Sequence, residues 1–296
     1  MAATARPRRS MLYMPGSNAR ALEKGRTLAA DALILDIEDA VAPDAKALAR
    51  GQIVEAVRTG GYGGREIIVR INPLDSPWGH DDLAAIATSG ADAILLPKVE
   101  TAAMVQDLET QMAGAGAPEG MGIMCMMETP LGMLHAEAVA GASQRVSCLV
   151  MGTSDLVKDL QASHTGARLP VLTSLGLCLL AARAFGLAIV DGVHLDLADD
   201  AGFAAACVQG LELGFDGRTL IHPKTIAKAN EVFSPSAEEV AFSHRIIAAH
   251  AEAAAEGKGV VLVDGKLIEN LHVENAKRLV ALTEAIQALE NSAAET

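Results

Sequence analysis

Eight short apolar runs, separated by stretches of helical periodicity, restrict what this chain can fold into more than any other feature. The runs occupy residues 11–14, 33–37, 66–71, 93–99, 122–127, 146–151, 187–193 and 217–221. Each is rich in Ile, Val, Leu or Met, and none alternates strictly with polar residues. Strands covered on both faces have this composition. Apolar positions recur at helical spacing over residues 19–28, 46–59, 81–88, 102–111, 131–139, 172–185, 201–213 and 223–232. Eight strands alternating with eight helices predict an α/β fold, a (β/α)8 TIM barrel. The rival is a doubly wound open sheet, but no G-x-G-x-x-G follows the first run, which weakens its nucleotide-binding form.

The last part of the chain exceeds what eight βα units need. A barrel domain is expected over residues 1–232 and a C-terminal extension over 233–296. Residues 236–256 read as a helix, with Glu238 and Glu239 in its first turn and Gly257 closing it. Residues 257–270 read as a hairpin turning at Asp264-Gly265. A final helix is expected over 273–289. Such a helix–hairpin–helix tail reads as a cap, or as an arm onto a neighbouring subunit.

Half of the 296 residues are hydrophobic and only 3% are aromatic, so aliphatic side chains and Met must build the core. The formal net charge of −13 argues against nucleic acid as a partner. No apolar run is long enough to suggest a membrane span. The basic start MAATARPRRS lacks the apolar stretch of a signal peptide. Cys125, Cys148, Cys178 and Cys207 show no metal-ligand spacing and read as small core residues in a reducing compartment. The cytoplasm is the default location.

Polar residues gather at the strand exits, where barrels of this kind carry their chemistry. The second run ends in Asp36, Glu38 and Asp39, the third in Arg70 and Asn72, the fourth in Lys98 and Glu100, and the fifth in Glu128. The sixth leads into Gly152-Thr153-Ser154-Asp155, the seventh carries Asp191 and His194, and the eighth ends at His222. Taken singly, Glu128 and Asp155 read as acids in the first turns of helices. Taken together they leave adjacent strands, and two carboxylates side by side need a cation or a proton between them. Oxygen ligands without His or Cys favour Mg²⁺ over zinc. Arg70 fits a carboxylate or a developing oxyanion, or else an internal ion pair with Asp36 or Glu38. Lys98 is weighed as a Schiff-base lysine against an ion pair with Glu38 or Glu100. His194 and His222 read as structural hydrogen-bonding residues.

The stretches MLYMPGSNARALEKG, LDIEDAVAPDAK, VRIN, LPKVET, METPLG, MGTSDL and GFDGRTLIHPKTI occur in order. In them the chain resembles the citrate lyase β-subunit group, which includes malyl-CoA and citramalyl-CoA lyases. The resemblance implies a TIM barrel with a C-terminal extension, assembled as a homotrimer. It makes Glu128 and Asp155 ligands of Mg²⁺. It makes Arg70 the residue that contacts the oxoacid and the developing oxyanion. Asp36, Glu38 and Asp39 match acids that hold metal-bound waters and Arg70. Tyr13 and Lys24 match positions that help to bind the CoA moiety, and Gly152, Thr153 and Ser154 are expected beside the substrate. The group's CoA lyases carry an Asp in a G-x-M-[IV]-D-x-P hairpin pattern, where it moves a proton in a neighbouring subunit's site. Here the stretch is GKLIENL, with Glu269 for the Asp and Leu271 for the Pro.

The implied activity is a Mg²⁺-dependent carbon–carbon lyase reaction. A 3-hydroxyacyl-CoA such as malyl-CoA or citramalyl-CoA is cleaved by retro-Claisen chemistry, or formed in reverse from an acyl-CoA and an oxoacid like glyoxylate, pyruvate or acetoacetate. Arg70 would neutralise the developing charge, and Glu269 on a mobile lid would protonate the enolate. Because Glu269 is one methylene longer than the Asp of the group, two alternatives stay open. One is a Mg²⁺-dependent hydroxyacyl-CoA thioesterase, the other a non-catalytic binder of CoA esters or oxoacids.

Overall fold

A computed structural model describes residues 6–255, 257 and 259–294. Eight parallel strands close into a barrel: β1 Ser10–Pro15, β2 Ala32–Asp36, β3 Glu66–Arg70, β4 Ala93–Leu96, β5 Gly122–Met127, β6 Val146–Met151, β7 Ala188–Asp191 and β8 Gly217–Leu220. Sequence neighbours pair throughout, and β1 pairs with β8 to complete the ring. The helices of this unit are α1 Ala19–Gly25, α2 Lys46–Thr59, α3 Gly79–Ile86, α4 Ala102–Gly114, α5 Pro130–Leu134, α6 Ala136–Ala140, α7 Thr153–Asp159, α8 Leu172–Ala184, α9 Asp200–Leu213 and α10 Ile226–Phe233.

Strand alternation sorts every barrel residue into one of two layers. Met11, Ile34, Ile68, Leu95, Met124, Met126, Val150 and Val190 fill the barrel interior. The other parity, including Leu12, Leu33, Val69, Ile94, Ile123, Leu149 and Ile189, packs under the helices. Beneath the interior layer, at the N-terminal ends of the strands, Arg8 forks onto Glu66 through two 2.7 Å hydrogen bonds, and Arg9 forks onto Asp31 at 2.8 and 2.9 Å. Both pairs are buried.

Two expectations need correcting here. Asp191 does not belong to the mouth. It has the parity of Ile189, so its side chain lies in the outer layer, fully buried, accepting from Arg168 Nη1 at 2.5 Å and Arg218 Nη1 at 3.0 Å. The segment read as one helix over 131–139 is two short helices, α5 and α6, parted at His135. Gly132 packs so tightly on the Val99 carbonyl that a Cβ there would lie 2.4 Å from the oxygen. This contact seats α5 on the β4 exit, and its axis is not continued. The helix α7 was absent from the sequence pattern as a separate element, though Asp155 was placed in a first turn.

The C-terminal extension, from Ser234 on, forms a second compact unit, the first being Arg8–Phe233. In it α11 (Ala237–Ala255) and α12 (Asn270–Ala294) pack with the antiparallel hairpin β9 (Val261–Val263) and β10 (Lys266–Ile268). Asp264 and Gly265 both have positive φ, 49° and 76°, as a two-residue type I′ turn requires. Ile246, Val263, Ile268, Val273 and Ala276 make its core. Among the described residues no helix is long and apolar enough to cross a membrane.

Candidate active site

Interior parity carried to the C-terminal strand ends places Tyr13, Asp36, Arg70 and Glu128 around one opening, with Gly152 on the same parity just beyond β6. Asp36 organises the first part. Its two oxygens accept from Arg70 Nε at 2.8 Å, Arg70 Nη2 at 2.6 Å, Glu38 N at 2.9 Å and Ala40 N at 3.1 Å. The chain after β2 therefore wraps around the Asp36 carboxylate, and this wrapping turns Glu38 inward. Lys46 fixes the wrap from outside by donating to the carbonyls of Ile37 and Glu38 at 2.9 and 2.8 Å.

Arg70 is held on three sides. Besides Asp36 it meets Glu38 Oε2 at 2.9 Å, and its guanidinium lies 4.8 Å from the centroid of the Tyr13 ring. Asp39, whose side chain is exposed, stands 3.8 Å from Arg70 Nη1. Burial works to lower the Arg70 pKa, but the hydrogen-bonded Asp36 and the neighbouring Glu38 keep it well above the usual value. The guanidinium is a permanent, pre-oriented cation. Burial pushes the Glu38 carboxyl up, against the pull of Arg70. Burial also raises the Tyr13 phenol, which contacts Met126 Sδ within the barrel.

Glu128 leaves the end of β5 only 3% exposed. Its Oε1 accepts from the Lys98 amide at 2.8 Å. Its other oxygen faces Gly152, where a Cβ would lie 2.5 Å from Oε2 and 2.4 Å from the Glu128 Cβ. Gly152 is thus required by the close approach of the Glu128 side chain. Burial raises the Glu128 pKa from 4.5 to about 7, with Lys98 opposing. Lys98 sits in the left-handed region, φ 50°, and its ammonium bridges Glu38 Oε1 at 3.3 Å and Asp155 Oδ2 at 3.2 Å. Of the two ion-pair partners weighed for Lys98, the structure shows Glu38. Five carboxyl groups, Asp36, Glu38, Asp39, Glu128 and Asp155, gather around the two cations Arg70 and Lys98.

These residues suit a hard divalent cation. Lys98 and Arg70 offset only part of the burial penalty on Glu128, whose pKa stays raised, and the acids beside it have drawn in an ammonium. Among the described residues no three His, Cys, Asp or Glu side chains enclose a common point. A metal here would rest on two protein carboxylates and fill its other positions with water and substrate, the Mg²⁺ pattern. Ser154 adds a buried hydroxyl whose Oγ has no hydrogen-bond partner, and Thr153 is buried beside it against Gly192.

Lys24 is exposed in the last turn of α1, and among the described residues no ion pair or hydrogen bond joins its ammonium to the mouth. Glu269 belongs to the second unit, exposed, with its backbone N–H donating to His272 Nδ1 at 3.0 Å. His222 caps the turn after β8 through Lys224 N, and His194 packs edge-on against Phe203. His222 has the hydrogen-bonding role expected of it, whereas His194 does not: its Nε2 is buried with no hydrogen-bond partner among the described residues. The Lys98 ammonium meets Glu38 as expected, and Asp155 is a second partner that the sequence did not indicate. The one visible sign of Lys98 was the odd placement of a lysine between Pro97 and Val99 at a strand exit.

Substituting Gly152 by Ala would force the Glu128 carboxylate aside. Gly152→Ala is expected to lower kcat about 100-fold, the effect of roughly a 1 Å misplacement, while costing about 1–3 kcal/mol of stability. Steady-state kinetics beside urea denaturation checks both.

Residues 9–223 match the HpcH/HpaI aldolase/citrate lyase family. The chain is 51% identical over 288 residues to a (3S)-malyl-CoA thioesterase of Cereibacter sphaeroides, covering 97% of this chain and 99% of that one. It is 36% identical over 284 residues to the citrate lyase subunit beta of Escherichia coli K12, covering 94% of each. Among solved structures, the CitE protein of Mycobacterium tuberculosis, in complex with magnesium, acetoacetate and coenzyme A, superposes with a TM-score of 0.73 at 26% identity, covering 95% of this chain and 100% of that one. With the family match spanning most of the barrel and the relatives matched nearly end to end, the chain belongs to the HpcH/HpaI aldolase/citrate lyase family.

Proposed function

We propose that this protein is a Mg²⁺-dependent thioesterase that hydrolyses a 3-hydroxyacyl-CoA of the malyl-CoA type. The observation that carries hydrolysis over carbon–carbon cleavage is the 51% identity, across nearly the whole of both chains, to a protein named a (3S)-malyl-CoA thioesterase. The lyase subunits align at 36%. Glu269, in place of the Asp of the lyase pattern, agrees with this order. The order of the two enzymatic readings drawn from the sequence is thereby reversed.

In this reading Glu128 and Asp155 would hold the metal, with Ser154 beside it. When bound, Mg²⁺ supplies Lewis-acid polarisation and lowers the pKa of the oxygens it binds. The protein's own groups supply the rest. Arg70, fixed by Asp36 and stacked on Tyr13, forks onto the carboxylate of the acyl group and sets the thioester carbonyl at the mouth. Glu38, whose burial favours holding a proton, takes one from the attacking water. The tetrahedral centre then expels the CoA thiolate. That thiolate is a good leaving group, since thiol pKa values lie near 8.5, and the carbon–sulfur bond breaks without an acid of matched strength.

A second reading keeps the lyase. The relation to citrate lyase β-subunits favours it, as does a buried guanidinium beside the mouth, which suits an enolate as well as a carboxylate. One incubation with Mg²⁺ and malyl-CoA, followed by product identification, separates the two. Free malate and CoA are the expected products. Acetyl-CoA and glyoxylate would make the enzyme a lyase instead.

A further inference from the structure

Lys98 is joined to the mouth in two independent ways. Its backbone amide is fixed, held by the left-handed turn at φ 50° and by the 2.8 Å bond to Glu128 Oε1. Its ammonium is held loosely. The contacts to Glu38 and Asp155 are 3.3 and 3.2 Å, against 2.6–2.9 Å for Arg70 with Asp36 and Glu38. The Lys98 side chain is 42% exposed, whereas that of Arg70 is 7% exposed. A four-carbon stem with one fixed end and one wet end can swing its charge out without disturbing the amide bond to Glu128.

We infer that Lys98 is a built-in counter-ion for the carboxylate mouth: without a divalent ion its ammonium bridges Glu38 and Asp155, and binding of the ion displaces it to solvent. This rests on the reading of Glu128 and Asp155 as the metal's ligands. Without the Lys98 ammonium, Arg70 would be left to face the gathered acids, and repulsion between Asp155 and the carboxylates beside it would splay Asp155 from the mouth. With Lys98 in place the acids stay gathered, and the cage is ready before the metal arrives. In return, the ammonium competes for Asp155, which lowers metal affinity. The Lys98 charge therefore trades affinity for preorganisation.

The test is Mg²⁺ binding by isothermal titration calorimetry, without substrate, on the full-length protein and on Lys98→Met and Lys98→Arg. Lys98→Met is expected to bind Mg²⁺ about tenfold more tightly, the size of one ammonium–carboxylate attraction at contact distance in a water-like dielectric, which the ion no longer has to break. Lys98→Arg, which keeps the charge, should stay near the parent. An amine-acylating reagent, read by mass spectrometry of the peptide containing Lys98, should label that residue several-fold faster when Mg²⁺ is added. Unchanged or weaker Mg²⁺ binding by Lys98→Met overturns the inference, as does labelling that Mg²⁺ leaves unaltered. If the parent itself binds no Mg²⁺, the metal-site reading has failed and the inference falls with it. That outcome is distinct, because in the other two the parent binds normally. Should Lys98→Met not fold, the labelling of the parent decides alone.

Discussion

Arg70→Met is expected to cost about 3–5 kcal/mol of stability at neutral pH and to reduce turnover by about 10³-fold. The first figure follows from what the substitution leaves behind. Asp36 is fully buried and Glu38 is 5% exposed, and both would keep their charge with no guanidinium between them. Breaking a buried pair by removing one partner has a cost of about this size. The second figure is the loss of a preorganised donor at a developing or resident negative charge. The pH dependence has a definite sign. Burial already pushes the Glu38 carboxyl up and Arg70 pulls it down, so in the variant it stands further above its unfolded value and destabilises the fold when ionised. The deficit should be largest near neutrality and shrink as pH falls and the carboxyl takes up its proton. Urea denaturation between pH 5 and pH 8 measures this. The double variant Arg70→Met with Asp36→Asn separates structure from chemistry, because it removes one orphaned charge. It should recover part of the stability and none of the turnover. A variant that stays active would remove Arg70 from the chemistry.

The barrel was legible because burial on both strand faces writes itself into uninterrupted apolar runs, and eight of those leave little choice of fold. Most of the mouth was legible for a related reason. Asp36, Arg70 and Glu128 each follow an apolar run, where charges need a purpose. Less visible was the side on which a charge emerges. Asp191 ends β7 as Asp36 ends β2, yet Val190 already occupies the interior position, so Asp191 must point outward to Arg168 and Arg218. Settling that requires the true strand boundary to one residue, and an apolar run such as 187–193 blurs it. The reach of Lys98 to Asp155 was illegible because it depends on a left-handed backbone conformation at a non-glycine residue. The seating of α5 on the β4 exit depends on the close approach of Gly132 to the Val99 carbonyl, which joins segments about thirty residues apart in sequence.

Glu128→Gln should stabilise the metal-free protein while abolishing its response to Mg²⁺. In the fold the Glu128 carboxyl is raised by burial from 4.5 to about 7. Below its unfolded pKa the group is neutral in both states and costs nothing. As pH rises past 4.5 the unfolded chain ionises first, and by pH 8 the folded state has been made to ionise too. The parent then carries a penalty of about 3 kcal/mol. Gln keeps the oxygen that accepts from the Lys98 amide and the shape that fits against Gly152, but has no charge to desolvate. In EDTA at pH 8 the variant is therefore expected to melt higher than the parent, by about 4 °C, and the difference should vanish toward pH 4.5. Saturating Mg²⁺ should reverse the order, because ligand binding to the native state raises only the parent. Turnover should fall by at least about 10³-fold, since a buried ligand position has lost its charge. Differential scanning fluorimetry across pH, with and without Mg²⁺, reads every part of this. A Glu128→Gln protein that melts below the parent in EDTA and is still stabilised by Mg²⁺ would show that the buried carboxylate is structural and that the metal is held elsewhere. The combination expected here, a residue that weakens the empty fold and is needed only when the cation arrives, is what separates a ligand from a helix-capping acid, and stability without metal distinguishes them before any activity is measured.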